Sequence, residues 1–432
     1  MTLNFLNEKA VNRSLVRNIL SLFFLQGVNY LLSLFTLLYL VRTLGTENFG
    51  RLGFCSAFIQ YFVLLVDYGF NLSATRVLAS QKQNQEKLSS TFWNIMACKA
   101  ILGLLGALIL LALINTVPTL KSNQGILQFA YIQVVGTILL PIWFFQGLGK
   151  IDKFAACSLA AKILILPTIF FFVQKPEDVE LAAALQGITT LSSGLFAIGF
   201  IYHKKMIKWA YPSLKEIKTQ LTEGWHVFLS TAATSLYTTC TTVILGFLTN
   251  SSAVGHFVAA DKIRQAVQGL ISPISQVLYP RINALVEQDL TAAFKLIRKL
   301  LLSQGIATAI LSTLLFIYAP LIVETTYGAN HQETTLVLQL LAPLPLLTGL
   351  SNVFGIQTML PLGMSDLFSR ILIISSICSI IFVLPLSAHL GTKGAAISVL
   401  FTECLVTCSM GWAIYKRKIP ILHLSSQHLN RK

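Results

Sequence analysis

The sequence predicts an all-α, polytopic membrane protein of about twelve transmembrane helices, in two six-helix lobes with pseudo-twofold symmetry around a central cavity. Three observations carry that prediction. Of the 432 residues, 54% are hydrophobic and 11% charged, with a mean hydropathy of +0.70, whereas a soluble domain carries about a quarter charged residues. Apolar runs of about 20 residues, enough to cross ~30 Å of hydrocarbon as a helix, recur along the whole chain with short polar breaks. Lysine and arginine alternate between breaks, crowding into the even-numbered ones and both termini, which is the positive-inside asymmetry of a protein with cytoplasmic ends.

The spans follow in order. The first (18–42) comes after the charged stretch 7–17 and is too long for a cleavable signal, with no small-x-small site. The second (49–72) opens on Phe49-Gly50 and is followed by Arg76, Lys82 and Lys87. The third (92–115) and fourth (125–148) precede Lys150 and Lys153, and the fifth and sixth occupy 155–173 and 180–202. A basic connection with Lys204, Lys205, Lys208, Lys215 and Lys218 divides an N-terminal lobe, 1–205, from a C-terminal lobe, 206–432. The seventh (223–248) and eighth (253–278) lead to Arg281, Lys295, Arg298 and Lys299, around the start of the ninth (297–320). The tenth (334–360) carries Pro343, Pro345 and Gly349, which allow bending. The eleventh (367–389) and twelfth (393–415) end at Lys416, Arg417 and Lys418. The opposite breaks hold Arg42, Arg51, Lys121, Lys175 and Lys393 and little else. The net charge of +15 is thus explained by topology, without nucleic acid as a partner. The seven cysteines fall in spans with no CxxC, and read as small apolar side chains rather than metal ligands.

Two internal matches favour the two-lobe arrangement. Gly50 and Gly255 each begin a span and each precede an arginine, Arg76 and Arg281, by 26 residues. The stretches Leu148-Gly-Lys-Ile-Asp-Lys-Phe154 and Leu362-Gly-Met-Ser-Asp-Leu-Phe368 share LGxxDxF just after a span. Such halves leave a cleft between them.

Polar side chains inside spans belong in that cleft, because lipid-facing positions cannot hydrogen-bond them. On the eighth span Asp261, Arg264, Gln265, Gln268 and Ser272 recur at three- and four-residue steps; on the second, Ser56, Gln60, Asp67 and Asn71 do so. Gln26, Asn29 and Ser33 form a weaker stripe on the first, and His226, Ser230, Thr234, Thr238 and Thr241 a hydroxylated one on the seventh. Hydroxyls inside a helix also bond to their own backbone, the plainer reading for many of these. A charge near mid-bilayer costs about 2.5–3.5 kcal/mol even on the lenient insertion scale. Asp261 and Arg264 share a face and form either a self-neutralising pair or part of a site. Lys262 diverges from Asp261 by about 100° and lies about 12 Å into the span, so it calls for water, an acidic neighbour or an anionic ligand. Lys99 and Lys162 read as snorkelling or helix-end cations. Asp67, Asp261 and Glu403 are the candidate ion-coupling groups.

No GxxxxGK[ST] loop is present, and Gly147-Leu-Gly-Lys150 lacks both the leading glycine and the hydroxyl residue, which argues against ATP hydrolysis in this chain. No outward loop carries a nucleophile or acid/base set, so the chain reads as a non-enzyme without cofactor or metal.

Several stretches resemble the polysaccharide-exporter (O-antigen flippase) branch of the multidrug/oligosaccharidyl-lipid/polysaccharide exporter superfamily. They are Leu44-Gly-Thr-Glu-Asn-Phe-Gly50, Asp67-Tyr-Gly-Phe70 with Arg76, Pro141-Ile-Trp-Phe-Phe-Gln-Gly147, and Val254-Gly-His-Phe-Val-Ala-Ala-Asp-Lys-Ile-Arg264 continuing to Tyr279-Pro-Arg281. The resemblance implies an alternating-access carrier in the bacterial inner membrane. Such a carrier moves an undecaprenyl-pyrophosphate-linked oligosaccharide from the cytoplasmic to the periplasmic leaflet, alongside a polysaccharide polymerase and a chain-length regulator. Lys262, Arg264, Arg76 and Arg281 can supply charge to the pyrophosphate, which of the first two meets it being open. Gln60, Asn71, Gln268, Trp143, Gln146 and His226 suit sugar hydroxyls. Two alternatives stand beside this reading. A cation-driven drug exporter of the same fold would want acidic residues in the first span, where there are none; a membrane glycan polymerase or acyltransferase would want a catalytic outward loop.

Overall fold

The computed structural model describes residues 2–81, 84–269, 272–328 and 332–421, with the side chains before residue 32 and several between 223 and 277 outside the described set. All regular structure among the described residues is helical. In chain order the α-helices are α1 (Thr2–Asp67), α2 (Phe70–Ser80), α3 (Gln85–Thr116), α4 (Pro118–Lys121), α5 (Gln124–Ala130), α6 (Ile132–Ile138), α7 (Ile142–Leu148), α8 (Ile151–Phe172), α9 (Val179–His203) and α10 (Leu214–Leu248). There follow α11 (Ser251–Gly269), α12 (Ser272–Gln288), α13 (Leu290–Tyr327), α14 (Gln332–Leu341), α15 (Leu344–Phe354) and α16 (Ser365–Lys416).

Two of these are too long to be single spans. At 1.5 Å per residue, the 66 residues of α1 would extend about 99 Å and the 52 of α16 about 78 Å, against ~30 Å of hydrocarbon. Each is kinked at a glycine: Gly45 in α1 (φ 71°, ψ 167°) and Gly391 in α16 (φ 56°, ψ −130°). Both φ values lie where a side chain is strained, so glycine supplies the reversal that the sequence places between the first and second and between the eleventh and twelfth spans. Other expected spans are broken internally. The fourth becomes α5, α6 and α7, with Pro141 lacking the N–H that would continue the ladder. The tenth becomes α14 and α15, followed by a π-helical turn over Gly355–Met359.

Eight helical stretches among the described residues are long and apolar enough to cross a membrane. The expected seventh and eighth spans are not among them. In α10 the apolar stretch is Thr239–Leu248, and α11 carries Asp261, Lys262 and Arg264 within 19 residues. The exposed surface has the apolar character of a lipid-facing one: Leu104 and Leu108 on α3, Leu164 and Phe171 on α8, Ile317 on α13 and Ile381 on α16 are all more than half exposed. Polar side chains lie inside instead, including Asn94, Lys99, Gln304, Gln357 and Glu403.

Packing divides the chain into two compact units, residues 38–255 and residues 1–37 with 256–432. The lobes expected at 1–205 and 206–432 are defined by symmetry, which is a different property from packing. Helix α10 belongs to the first unit because the start of α10 and the segment leading into it are fastened to α3. Trp93 Nε1 donates to Lys208 O at 3.1 Å, Ser213 N donates to Asn94 Oδ1 at 2.7 Å, and Glu216 accepts from Ser90 Oγ at 2.9 Å and from Asn94 Nδ2. Asn84 caps α3 by accepting from Glu86 N and Lys87 N.

Also within this unit, the repeat seen in the sequence is matched by a reciprocal contact. The offset that carries Gly50 to Gly255 also carries Thr46 to Ser251. A Cβ on Gly50 would overlap the Ser251 carbonyl oxygen and lie 2.7 Å from Gly255 N, and a Cβ on Gly255 would overlap the Thr46 carbonyl oxygen. Residue i touching the mate of j while j touches the mate of i is the signature of a local twofold axis. Glycine at both positions permits the backbone approach.

Candidate functional site

In the C-terminal unit the polar face of α11 meets α12, α13 and α15 around a cavity of about 320 Å³, whose polar lining includes Arg264, Gln268, Ser275, Gln304, Thr348 and Asn352. The break between α14 and α15 opens this space. Pro343 is the N-cap of α15, and Pro345, Thr348, Gly349 and Asn352 on that helix form one wall. Discontinuous helices at such a place free backbone and side-chain groups for a ligand.

Arg264 is held from two sides. Its Nε donates to Asp261 Oδ1 at 2.7 Å, and its Nη1 donates to Gln268 Oε1. The second Asp261 oxygen accepts from Gln265 Nε2 at 2.6 Å. The Arg264 and Asp261 side chains are 14% and 21% exposed, so the pair is shielded from bulk water and its attraction is little screened. Glu403, on α16, is 6% exposed, accepts from Ser351 Oγ at 2.8 Å, and acts electrostatically on Arg264. Around the cavity Ser275 Oγ donates to Asn352 Oδ1 at 2.7 Å, Gln357 Nε2 donates to Ser275 O at 3.0 Å, and Gln304 Nε2 donates to Gly349 O at 3.1 Å.

Lys262, one residue from Asp261, is exposed and makes no hydrogen bond or ion pair to any described residue. Arg281 on α12 is exposed as well. The C-terminal unit therefore separates these two cations of α11: Arg264 is paired within the cavity wall, and Lys262 is open.

The N-terminal unit gathers its charge elsewhere. Lys99 on α3, 1% exposed, donates to Asp67 Oδ1 at 3.2 Å and to Leu140 O at 3.4 Å. Asp67 ends α1 just before the left-handed pair Tyr68 (φ 43°) and Gly69 (φ 75°), and Leu140 precedes Pro141 at the α6–α7 break. Lys99 is thus neither snorkelling nor a helix-end cation; it ties two interrupted spans together. Beyond these breaks α2 packs on α7, with Thr75 Oγ1 donating to Trp143 O at 3.3 Å.

The remaining expected site residues divide by exposure. Gln60, Arg76 and Gln146 are exposed and Asn71 is half-buried. Trp143 is wholly buried against Phe92 and Phe144, and its Nε1 has no partner, so its ring belongs to the core. The side chain of His226 lies outside the described residues, as do those of Gln26, Asn29, Ser230, Thr234, Thr238 and Ser272. Sequence reasoning missed Gln304, Thr348, Ser351 and Asn352. Gln304 was detectable in principle as a lone amide within the apolar run 297–320, a costly placement without a role.

Residues 15–286 match the sequence profile of a family described as polysaccharide biosynthesis protein. The chain belongs to this family. Within the polysaccharide biosynthesis family it is 37% identical over 408 residues to a protein of Escherichia coli (strain K12) named "Putative O-antigen transporter", covering 94% of this chain and 98% of that one. A protein of Shigella dysenteriae with the same name is 31% identical over 398 residues, covering 91% and 98%. Among solved structures, the lipid II flippase MurJ in an inward closed conformation superposes with a TM-score of 0.75 at 13% identity, over 91% of this chain and 87% of that one. An inward-facing multidrug resistance MATE family transporter gives 0.71 at 14% identity, over 90% and 94%. At these identities the structural likeness establishes the fold, that of the superfamily to which MATE transporters belong. With eight helical stretches among the described residues long and apolar enough to cross a membrane, the chain is a multi-span membrane protein of that fold.

Proposed function

We propose that the protein is a flippase that carries an undecaprenyl-pyrophosphate-linked oligosaccharide, an O-antigen or related surface-polysaccharide unit, from the cytoplasmic to the periplasmic leaflet of a bacterial inner membrane. The names of its relatives support the glycan, and the fold supports alternating access between two lobes, which we place at 1–205 and 206–432 with both termini cytoplasmic. The single observation that carries the reading is α11, which lines a hydrogen-bonding cavity with its polar face and also bears an open lysine, Lys262, in an otherwise apolar helical protein. A phosphate is a multiply charged acceptor and an unpaired ammonium is a matching point charge. Arg76 and Arg281, both exposed, serve as rim cations that attract it. The polyprenyl tail stays in lipid.

Of the three carboxylates proposed for ion coupling, Asp67 and Asp261 are each in a salt bridge. Glu403 is in none among the described residues and bonds to a serine, which favours it as the group that exchanges a cation or proton. A polysaccharide polymerase and a chain-length regulator are the protein partners this role calls for. The test is complementation of a deletion strain. Lys262→Ala with Arg264→Ala is expected to abolish surface polysaccharide while the protein still accumulates in the membrane, and unchanged polysaccharide refutes the anion site.

A further inference from the structure

The cavity beside α11 has the wrong chemistry for the charged end of such a substrate. Arg264, the one lining cation among the described residues, already donates to Asp261 and Gln268, and Glu403 is a second acidic side chain in the surroundings. A pyrophosphate entering here would have to displace Asp261 from Arg264 and approach its carboxylate.

The hydrogen-bonding groups left over point elsewhere. Gln304 is 3% exposed; its Nε2 is committed to Gly349 O, which fixes the amide orientation, and its Oε1 is buried without a donor. An acceptor in that position needs a hydroxyl or an amide N–H. A pyrophosphate oxygen, being an acceptor itself, cannot satisfy it. Gln268 and Asn352 have their oxygens occupied by Arg264 and by Ser275, and so present their NH₂ groups as donors. One acceptor flanked by amide donors complements sugar hydroxyls, which both donate and accept. The cavity of about 320 Å³ lies at the small end of ligand sites, which run from about 300 to 1,000 Å³, so it suits part of a glycan and not a whole repeat unit. No aromatic ring among the described residues lines it, and the lining groups argue for recognition by hydrogen bonding at the sugar edge.

We infer that this cavity is a subsite for an uncharged sugar residue of the transported glycan, with Gln304, Gln268 and Asn352 reading its hydroxyl or N-acyl groups, and that the pyrophosphate is met outside it by Lys262. The inference rests on the proposed flippase function and adds a division of labour between two sides of one helix.

The experiment is a pair of titrations on purified full-length protein, one with inorganic pyrophosphate and one with the neutral oligosaccharide released from the lipid carrier. Gln304→Leu is expected to weaken oligosaccharide binding at least tenfold and leave pyrophosphate binding unchanged; Lys262→Ala is expected to do the converse. Retained pyrophosphate binding certifies that Gln304→Leu is folded, and Asn352→Leu provides a second variant with the same expectation. Unchanged oligosaccharide binding in both cavity variants, or equal loss of both ligands, overturns the subsite. Wild-type binding of pyrophosphate but not oligosaccharide also overturns it, whereas wild-type binding of neither ligand refutes the flippase reading on which it stands.

Discussion

Removing either partner of the Lys99–Asp67 pair should cost unequal amounts, because the two partners are unequally buried. In Asp67→Asn the orphan is the Lys99 ammonium, 1% exposed, left with a neutral amide and the Leu140 carbonyl. Breaking a buried pair so that one charge is stranded costs about 3–5 kcal/mol. In Lys99→Met the orphan is the Asp67 carboxylate, 31% exposed, which water can reach. What is lost there is chiefly the bond to Leu140 O, long at 3.4 Å, together with partial solvation of Asp67, about 1–3 kcal/mol. The double variant leaves no stranded charge and should be more stable than Asp67→Asn alone, so the coupling energy should be at least the cost of Lys99→Met, about 1–3 kcal/mol. The assay is thermal unfolding of the four proteins in one detergent, followed by loss of the monodisperse elution peak. The expected order, most stable first, is wild type, Lys99→Met, then Asp67→Asn, with the double variant above Asp67→Asn. If Lys99→Met proves the more damaging single change, or if the two single effects simply add, Lys99 is not the buried tie between the two helix breaks.

Other consequences are as concrete. Gly50→Val sets a side chain into the Ser251 carbonyl oxygen and should prevent the reciprocal contact with Gly255, costing about 1–3 kcal/mol and read as a drop in unfolding temperature. Gly45→Ala, at φ 71° and ψ 167° with open space around it, should destabilise by about 1–3 kcal/mol through backbone strain alone, read as a drop in unfolding temperature. Trp143→Phe removes an unpartnered buried N–H and should leave both stability and surface polysaccharide within a factor of two or three. Trp143→Ala should cost about 3–5 kcal/mol and reduce the amount of protein in the membrane. Glu403→Gln should retain binding of the released oligosaccharide but lose acceleration of flipping by an imposed pH gradient in proteoliposomes.

The apolar elements of this fold are legible in the sequence because hydropathy is a local property, and the breaks near Gly45 and Gly391 are legible because a reversal at membrane depth leaves few residues to choose from. Interruptions within spans are harder. The tenth span's bend was foreshadowed by Pro343 and Pro345, but its π-helical end at Gly355–Met359 has no sequence mark. The site was readable as a helix face, with Asp261, Arg264, Gln265 and Gln268 at helical spacing. Which cation is free was not readable, since the stripe gives angles around one helix and says nothing of what Ser351 and Glu403 bring from others. Lys99 was misread for the same reason: its partner, Asp67, is 32 residues away. Trp143 lies in one of the stretches that carry the sequence resemblance, yet its side chain is wholly buried in the core.

The most direct measurement of the central claim is the sidedness of lipid-linked oligosaccharide in a strain deleted for this gene. Inverted and right-side-out membrane vesicles are probed with an impermeant periodate label, then repeated with Lys262→Ala restored in trans. The account predicts that the lipid-linked unit accumulates on the cytoplasmic face in both the deletion and the Lys262→Ala strain, and that the wild-type gene moves it to the periplasmic face. An unchanged periplasmic pool in the deletion strain, with surface polysaccharide intact, contradicts it.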